Sequence, residues 1–301
     1  MLALTGLTAC RNTSDETDSG DASGPRYVTD RLSNTLAVPG NIETIVTLGA
    51  SNTEIVTALG FGDRIIAMDT FSVDVPGVAS DITLIDLWNM DIEALIMLEP
   101  DVIFAASGLI APGADGPLEM LIRAGTHVMG IPTAETINDI ILDIEFIGAV
   151  LNADAAANAM TSSMVAEINN IRETAAGITT PRTVYFEIEA PPFMFTFGEG
   201  TFMHEMVEAI GAVNAFGHYG SWVSIADEQV LALDPDVILT NVVWIEDHLT
   251  DMQARPGWDG LTAIQYGRVF VIDANASSRP THNITTALRQ MAEAVYPEYF
   301  R

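Results

Sequence analysis

The sequence predicts an α/β fold of two Rossmann-like lobes, each a three-layer αβα sandwich, joined by one long helix with a ligand cleft between them. Three observations lead to this fold class. Short β-branched runs alternate with helical patterns from Tyr27 onward. Two parts of the chain repeat the same patterns in the same order, and an alanine-rich helical stretch separates them. The length of 301 residues also exceeds the usual size of a single domain.

The strand predictions rest on short apolar runs bounded by turn residues. They are Ile45–Leu48, Arg64–Met68, Val102–Ala106, His127–Ile131, Thr183–Glu187, Val237–Thr240 and Val269–Ile272. Two helices between them are marked by their ends. The first helix is expected to begin at Asn52 and to end at Gly60. The second is predicted over 203–210 and is expected to end at Gly211.

An internal repeat relates the two halves of the chain. Glu93 and Glu228 are each followed by six residues and then by Pro-Asp-Val-Ile, which predicts a helix, a turn and a buried strand. The segments 49–60 and 200–211 both begin and end with glycine and carry a glutamate at the same place, and 124–132 echoes 265–273 more weakly. The repeat therefore predicts two related lobes in tandem.

The stretch 152–178 is expected to form the connecting helix between an N-terminal lobe, 26–151, and a C-terminal lobe, 179–301. Its larger apolar side chains share one helical face: Met160, Met164, Ile168 and Ile171. A single helix restrains lobe rotation more than flexible strands do, so we expect modest closure.

The first residues predict a lipid anchor. Residues 7–10 read Leu-Thr-Ala-Cys and resemble a lipobox, so 1–10 is interpreted as the remnant of a lipoprotein signal and Cys10 as the lipidated residue. The charged region of a signal peptide is absent, so we expect the natural start to precede Met1. Residues 11–25 lack large apolar side chains and are expected to be a flexible tether. An extracytoplasmic protein held on the cell membrane follows, in the periplasm or on the outer face of a Gram-positive membrane.

Composition excludes several classes of function. The formal charge is −29 and the chain contains no lysine, so nucleic-acid binding is not expected. The single cysteine precludes a disulfide or a cysteine-based zinc site within one chain, and the five histidines show no clustered spacing for a free zinc ion. Nucleophile-elbow, zinc-protease, P-loop and dinucleotide motifs are absent, so we expect no enzyme, although a zinc-binding protein, a hydrolase or a purely structural surface protein remains an alternative. The self-repelling surface is expected to keep the protein monomeric.

Several motifs in order resemble one known family, the helical-backbone periplasmic binding proteins that serve importers of siderophores, haem and vitamin B12. They are TLGASNTEIVTALGFGDRIIAMD at 47–69, the Glu93 repeat, FTFGEGTFMHEM at 195–206, SWVSIADEQVLALDPDVIL at 221–239, RPGWDGLTAIQYGRVFVID at 255–273 and RPTHNITTALRQMAEAVYP at 279–297. The resemblance covers nearly the whole chain after the tether.

The resemblance implies the partners. In this family a glutamate on top of each lobe docks onto arginines of the ABC permease dimer, which works with its ATPase subunits, and the matching positions are Glu93 and Glu228. Two carboxylates, one on each lobe, form charge-assisted bonds with the permease together when the lobes are in the closed, ligand-bound arrangement. Each glutamate alternatively complements only the dipole of its own helix. No intrinsic cofactor is implied.

The ligand residues are expected in the cleft, since sites of such folds combine aromatic walls with a few polar anchors. The repeat puts one tryptophan before each docking glutamate. The candidates are Trp88, Phe193, Phe195, Trp222, Trp244, Arg279 and His282. A ferric hydroxamate siderophore or a corrinoid such as cobalamin fits the lysine-free sequence better than an anionic catecholate. Haem is the alternative, with His218 and Tyr219 as the candidate axial ligands.

Overall fold

A computed structural model describes residues 26–109, 116 and 118–300. The predicted signal remnant, Cys10 and the tether lie outside the described residues. Within the described part of the chain, no helix is both long and apolar enough to cross a membrane.

The strands are short, with two to five residues each. They are β1 (Arg26–Thr29), β2 (Thr35–Val38), β3 (Ile45–Leu48), β4 (Ile65–Asp69), β5 (Thr83–Ile85), β6 (Val102–Ala106), β7 (His127–Ile131), β8 (Thr183–Glu187), β9 (Phe195–Phe197), β10 (Val213–Asn214), β11 (Trp222–Ser224), β12 (Val237–Thr240) and β13 (Val269–Val271).

The helices are α1 (Ala50–Ala58), α2 (Ile92–Met97), α3 (Glu119–Arg123), α4 (Ile137–Val150), α5 (Asp154–Ala175), α6 (Phe202–Ala209), α7 (Asp227–Leu233), α8 (His248–Ala254), α9 (Thr262–Gln265), α10 (Ala274–Ser278) and α11 (Ile284–Val295). Short 3-10 helices lie at Gly62–Arg64, Thr70–Ser72, Ser107–Leu109 and Trp258–Gly260.

Two parallel sheets form the middle layers of the molecule. The first has the strand order β5-β4-β3-β6-β7 and the second the order β10-β8-β12-β13. Every pair of neighbours within these two sheets is parallel. Helices cover both faces, because buried parallel strands need helical crossovers on either side. The predicted α/β fold with two αβα lobes is thus confirmed. Antiparallel pairs β1-β2 and β9-β11 are additions to it.

The repeat has the same hydrogen bonds in both sheets. Asp101, which follows the first repeated proline, accepts from the backbone and hydroxyl of Thr44 at 2.9 and 3.1 Å. Asp236, which follows the second, accepts from the same groups of Thr183, both at 2.8 Å. In each lobe this aspartate ties the start of one central strand, β6 or β12, to the start of its neighbour, β3 or β8. The repeated Pro-Asp pair therefore has one structural role used twice.

Helix α5 lies between the two sheets in sequence and shares a core with both. Its buried face includes Met164, Ile168 and Ile171, as the apolar spacing predicts, whereas Met160 is only half-buried. One continuous cluster of buried side chains extends from Ile45 in the first sheet to Val237 in the second, through α4, α5, α6 and α11. The lobes are consequently packed on each other over a common apolar layer.

The observed ends of two helices differ from the predicted ones. Helix α1 starts at Ala50 after Gly49, whose φ of 120° favours glycine, so Asn52 is inside the helix and does not cap it. Helix α6 starts at Phe202, because the side chain of Thr201 accepts from the backbone N–H of His204.

Candidate ligand-binding cleft

The carboxyl ends of the parallel strands define one edge of each lobe. Ligand sites of open α/β sheets lie outside these ends, because the loops that follow the strands converge there. In the first lobe, the 3-10 helix with Phe71 follows β4, and Trp88 follows β5. In the second lobe, Phe193 follows β8 and Trp244 follows β12. Each lobe therefore presents aromatic side chains on the edge where a ligand is expected.

These aromatic side chains are largely open to solvent. Trp88 is 88% exposed, Phe193 80%, Trp244 60% and Phe71 54%. Single exposed apolar side chains are ordinary on a protein surface, whereas several at one edge are candidates for ligand contacts. Phe71 is absent from the sequence-based candidates, although its position directly after a predicted strand is a signal that could have identified it.

A cavity of about 230 Å³ lies between the lobes. The lining residues of the first lobe lie in α1, at the ends of β6 and β7, in the loop after β7 and at one position on α4. The second contributes residues from α6, β11 and both sides of Arg279. The lining residues are Ser51, Asn52, Ile55, Ala106, Ile131, Pro132, Thr133, Ala134, Asp143, Phe202, Trp222, Ser278 and Pro280. Most of this lining is apolar, as is usual for small-molecule sites.

Two aromatic residues, Phe202 and Trp222, are in the described lining of the cavity, and Trp222 is the one that the sequence predicted. Trp222 is the first residue of β11 rather than part of a loop, and it is 39% exposed. Its ring stacks on Phe195 with centroids 6.5 Å apart and planes 5° apart, and it meets the edge of Phe197 at 6.3 Å. Since β9 and β11 are paired, both phenylalanines hold the indole at the cavity wall. Phe195 thus supports Trp222 and does not line the cavity.

Two buried polar groups face the cavity from the first lobe. Asn52 is 1% exposed and donates from Nδ2 to the carbonyl of Leu48 at 3.2 Å. Asp143 on α4 accepts from Nε of Arg31 at 2.9 Å. Burial raises the pKa of Asp143 to about 6, although Arg31 lowers it in part. Sequence reasoning missed both groups.

Arg279 and His282 line a second groove, of about 450 Å³, on the other side of α1. The guanidinium of Arg279 binds Glu54 at 2.7 Å and Asp74 at 2.8 Å, both in the first lobe, and donates to the carbonyl of Phe71 at 3.1 Å. His282 has a buried Nδ1 without a partner among the described residues, and burial lowers its pKa. The structure therefore separates these two candidates from the aromatic cavity and places Arg279 in an ion-pair network between the lobes.

The candidate axial ligands for haem lie elsewhere. His218 lines a groove that reaches Thr183, the first residue of β8, and so lies away from the carboxyl ends of the second sheet. Tyr219 accepts from the side-chain amide of Gln229 at 2.8 Å. The described lining of the interlobe cavity contains no histidine or tyrosine. Over the described residues, no group of three or more His, Cys, Asp and Glu is arranged to hold a metal ion.

Glu93 and Glu228 occupy equivalent places in the two lobes. Both are exposed in the first turn of a helix, α2 or α7. Beside Glu228, the side chain of Asp227 accepts from the indole N–H of Trp258 at 2.8 Å, so that carboxylate has a structural role inside the lobe. The two exposed glutamates have no such bond among the described residues and are available to a partner.

Comparison with known proteins gives consistent results. The chain is 28% identical over 313 aligned positions to the uncharacterized ABC transporter substrate-binding lipoprotein YvrC of Bacillus subtilis, covering 100% of this chain and 96% of that one. It is 25% identical to a vitamin B12-binding protein of Vibrio cholerae, covering 85% of this chain and 90% of the relative. The fold is similar to that of the periplasmic haem-binding protein RhuT from Roseiflexus, with a TM-score of 0.74, 22% identity and coverage of 85% and 99%.

The family profile of the periplasmic binding proteins matches residues 45–276, which span both parallel sheets and the helix between them. The expected resemblance is thereby confirmed, and the chain belongs to the periplasmic binding protein family.

Proposed function

We propose that this protein is the extracytoplasmic substrate-binding protein of an ABC importer and that it captures a large, nearly neutral metal chelate, a corrinoid or a hydroxamate siderophore. One observation carries the proposal. Exposed aromatic side chains follow the carboxyl ends of both sheets, and an apolar cavity with Trp222 in its wall is lined by residues of both lobes. Indole and phenyl faces bind flat or bulky chelates over a large area at small entropic cost.

The charges of the cleft support a nearly neutral ligand. No arginine or lysine is found in the described lining of the cavity, whereas Asp143 is. A ferric catecholate with about three negative charges would gain no charge-assisted bond here and would have to be desolvated beside a carboxylate. Haem is supported less than a corrinoid, because the described lining offers no axial ligand.

Titration of tryptophan fluorescence tests this proposal. Cyanocobalamin, a ferric hydroxamate, a ferric catecholate and haemin are added separately to the full chain and to Trp88→Ala and Trp222→Ala. We expect saturable quenching by cyanocobalamin or the hydroxamate, weakened at least tenfold in each variant. Tyr266→Ala is the matched control, because Tyr266 is 68% exposed but precedes β13 at the opposite end of the strands. If none of the four compounds quenches the fluorescence, the chelate proposal is wrong.

The partner in this proposal is an ABC permease that Glu93 and Glu228 contact, one from each lobe. Charge reversal of both residues is expected to abolish ligand uptake by cells while leaving ligand affinity unchanged. Glu173→Arg, an exposed reversal on α5, is the control that changes the net charge away from these helices. Undiminished uptake by the double reversal variant would contradict the docking role.

A further inference from the structure

Two oxygen acceptors on side chains that line the interlobe cavity have no donor among the described residues. Oδ1 of Asn52 is buried and has no hydrogen-bond partner among the described residues. Asp143, 5% exposed, accepts from Arg31 on Oδ1, and no described residue donates to its Oδ2. Both side chains line the same cavity. Asn52 Oδ1 is the buried one of the two, and a buried acceptor without a donor is rare in native proteins, so it calls for an explanation.

The orientation of the Asn52 amide follows from its neighbour. Nδ2 lies 3.2 Å from the carbonyl oxygen of Leu48, which accepts hydrogen bonds only. Turning the amide over would set two acceptors against each other and would leave the N–H groups unpaired instead. Oδ1 is thus the atom that is left for the cavity.

We propose that Asn52 Oδ1 and Asp143 receive N–H donors from the ligand and so select a chelate whose rim carries carboxamides over one whose rim carries carboxylates. This inference rests on the proposed function and names the ligand class within it. The side chains of a corrinoid end in primary amides, which donate. Carboxylate rims, such as haem propionates, offer only acceptors.

The charged groups around Asp143 support this selection. Arg31 is the cation that faces it, and its guanidinium is already shared with Asp139 at 3.4 Å and with the carbonyl of Thr133 at 2.7 Å. Asp139 and Asp30 add further negative charge nearby. A ligand carboxylate would therefore meet acceptors and negative charge, while a ligand amide would supply the missing donors.

The test compares two ligands that differ only at the rim. Dicyanocobinamide carries carboxamides, and dicyanocobyrinic acid carries carboxylates at the same positions. Affinities for the full chain are measured by fluorescence or calorimetry at pH 8, where Asp143 is ionised. We expect the amide ligand to bind at least a hundredfold more tightly.

Variants distinguish the effect of the two acceptors on ligand affinity from the effect of the protein's net negative charge. Asn52→Leu should weaken the amide ligand about tenfold, the equivalent of one hydrogen bond. Asp143→Asn should reduce the preference for amide over carboxylate about tenfold. Tyr266→Ala, at the opposite end of the strands, should change neither value, and a preference caused by net charge alone would survive in all three variants.

The outcomes distinguish this inference from the proposed function. Tight binding of cobinamide with unchanged affinity in Asn52→Leu and an unchanged preference in Asp143→Asn overturns the inference and leaves the proposed function standing. Equal or tighter binding of the carboxylate ligand by the unmodified chain overturns it without any variant. Failure to bind any chelate overturns both.

Discussion

The ion pair between Arg279 and Glu54 is expected to hold the lobes in one relative orientation, and Arg279→Gln tests this role. The two residues lie in different lobes, with Nη1 and Oε1 2.7 Å apart. The side chains are 15% and 7% exposed. Thr281 and Asn283, from the same loop as Arg279, donate to the other oxygen of Glu54 at 2.9 and 3.1 Å.

The expected loss in the free energy of unfolding follows from the charge of Glu54, which Arg279→Gln leaves without its cation. Removing one partner of a buried pair costs about 3 to 5 kcal/mol, because the remaining charge is uncompensated. Glu54 keeps its two neutral donors, so we expect about 2 to 3 kcal/mol from this pair. The second carboxylate bound by Arg279, Asp74, is 46% exposed. That pair adds less than about 1 kcal/mol.

Urea unfolding followed by fluorescence and circular dichroism measures the loss. Arg279→Gln should lower the free energy of unfolding by about 3 kcal/mol, and Asp74→Asn by less than about 1 kcal/mol. Adding Glu54→Gln to Arg279→Gln should recover part of the loss, because no unpaired charge then remains. Equal, small effects of the two single substitutions would refute the reasoning. Unchanged stability with lost ligand affinity would instead make Arg279 the ligand anchor that the sequence predicted.

Three further perturbations test other parts of the molecule. Because the pKa of Asp143 is raised from 3.8 to about 6, its contribution to the free energy of unfolding is fully present below pH 4 and is lost as pH rises through 6. Asp143→Asn should remove this pH dependence, which amounts to at most about 3 kcal/mol in unfolding measured from pH 4 to 7. A Cβ at Gly198 would lie 1.9 Å from the carbonyl oxygen of Tyr219, so Gly198→Ala should cost about 3 kcal/mol in thermal or urea unfolding. Gly220→Ala, which meets nothing within 4 Å, should be nearly neutral. Cys10→Ser should abolish labelling by radioactive palmitate and release the protein from membranes.

The central strands of the two sheets were predictable because they are buried on both faces. Such strands read as continuous apolar runs, and the predicted ends of β3, β6, β7, β8 and β12 agree with the structure. Six strands were missed: β1, β2, β5, β9, β10 and β11. They have two to four residues each, which is too short for a periodic pattern to stand out.

The aromatic candidates for the cleft were identifiable in the sequence for a related reason. Once the strands are located, the residues that follow them are candidates for the ligand edge, and the repeat marked Trp88 and Trp222 independently. The acceptors were not predictable. Asp143 and Arg31 meet across 112 positions of sequence, and an asparagine inside a helix gives no local sign that its oxygen is unpaired.

The arginines near the cleft are paired with carboxylates of the protein, which explains why a charged residue there does not by itself indicate the ligand. The chain has 12 basic and 41 acidic side chains, so each arginine has carboxylates available within the protein. Arg31 binds Asp143, and Arg279 binds Glu54. Both cations near the cleft are thus neutralised by the fold, and an anionic ligand would have to compete with carboxylates that are already in place. The proposed selection against negative charge is therefore supported by the internal pairing of these arginines as much as by the absence of lysine.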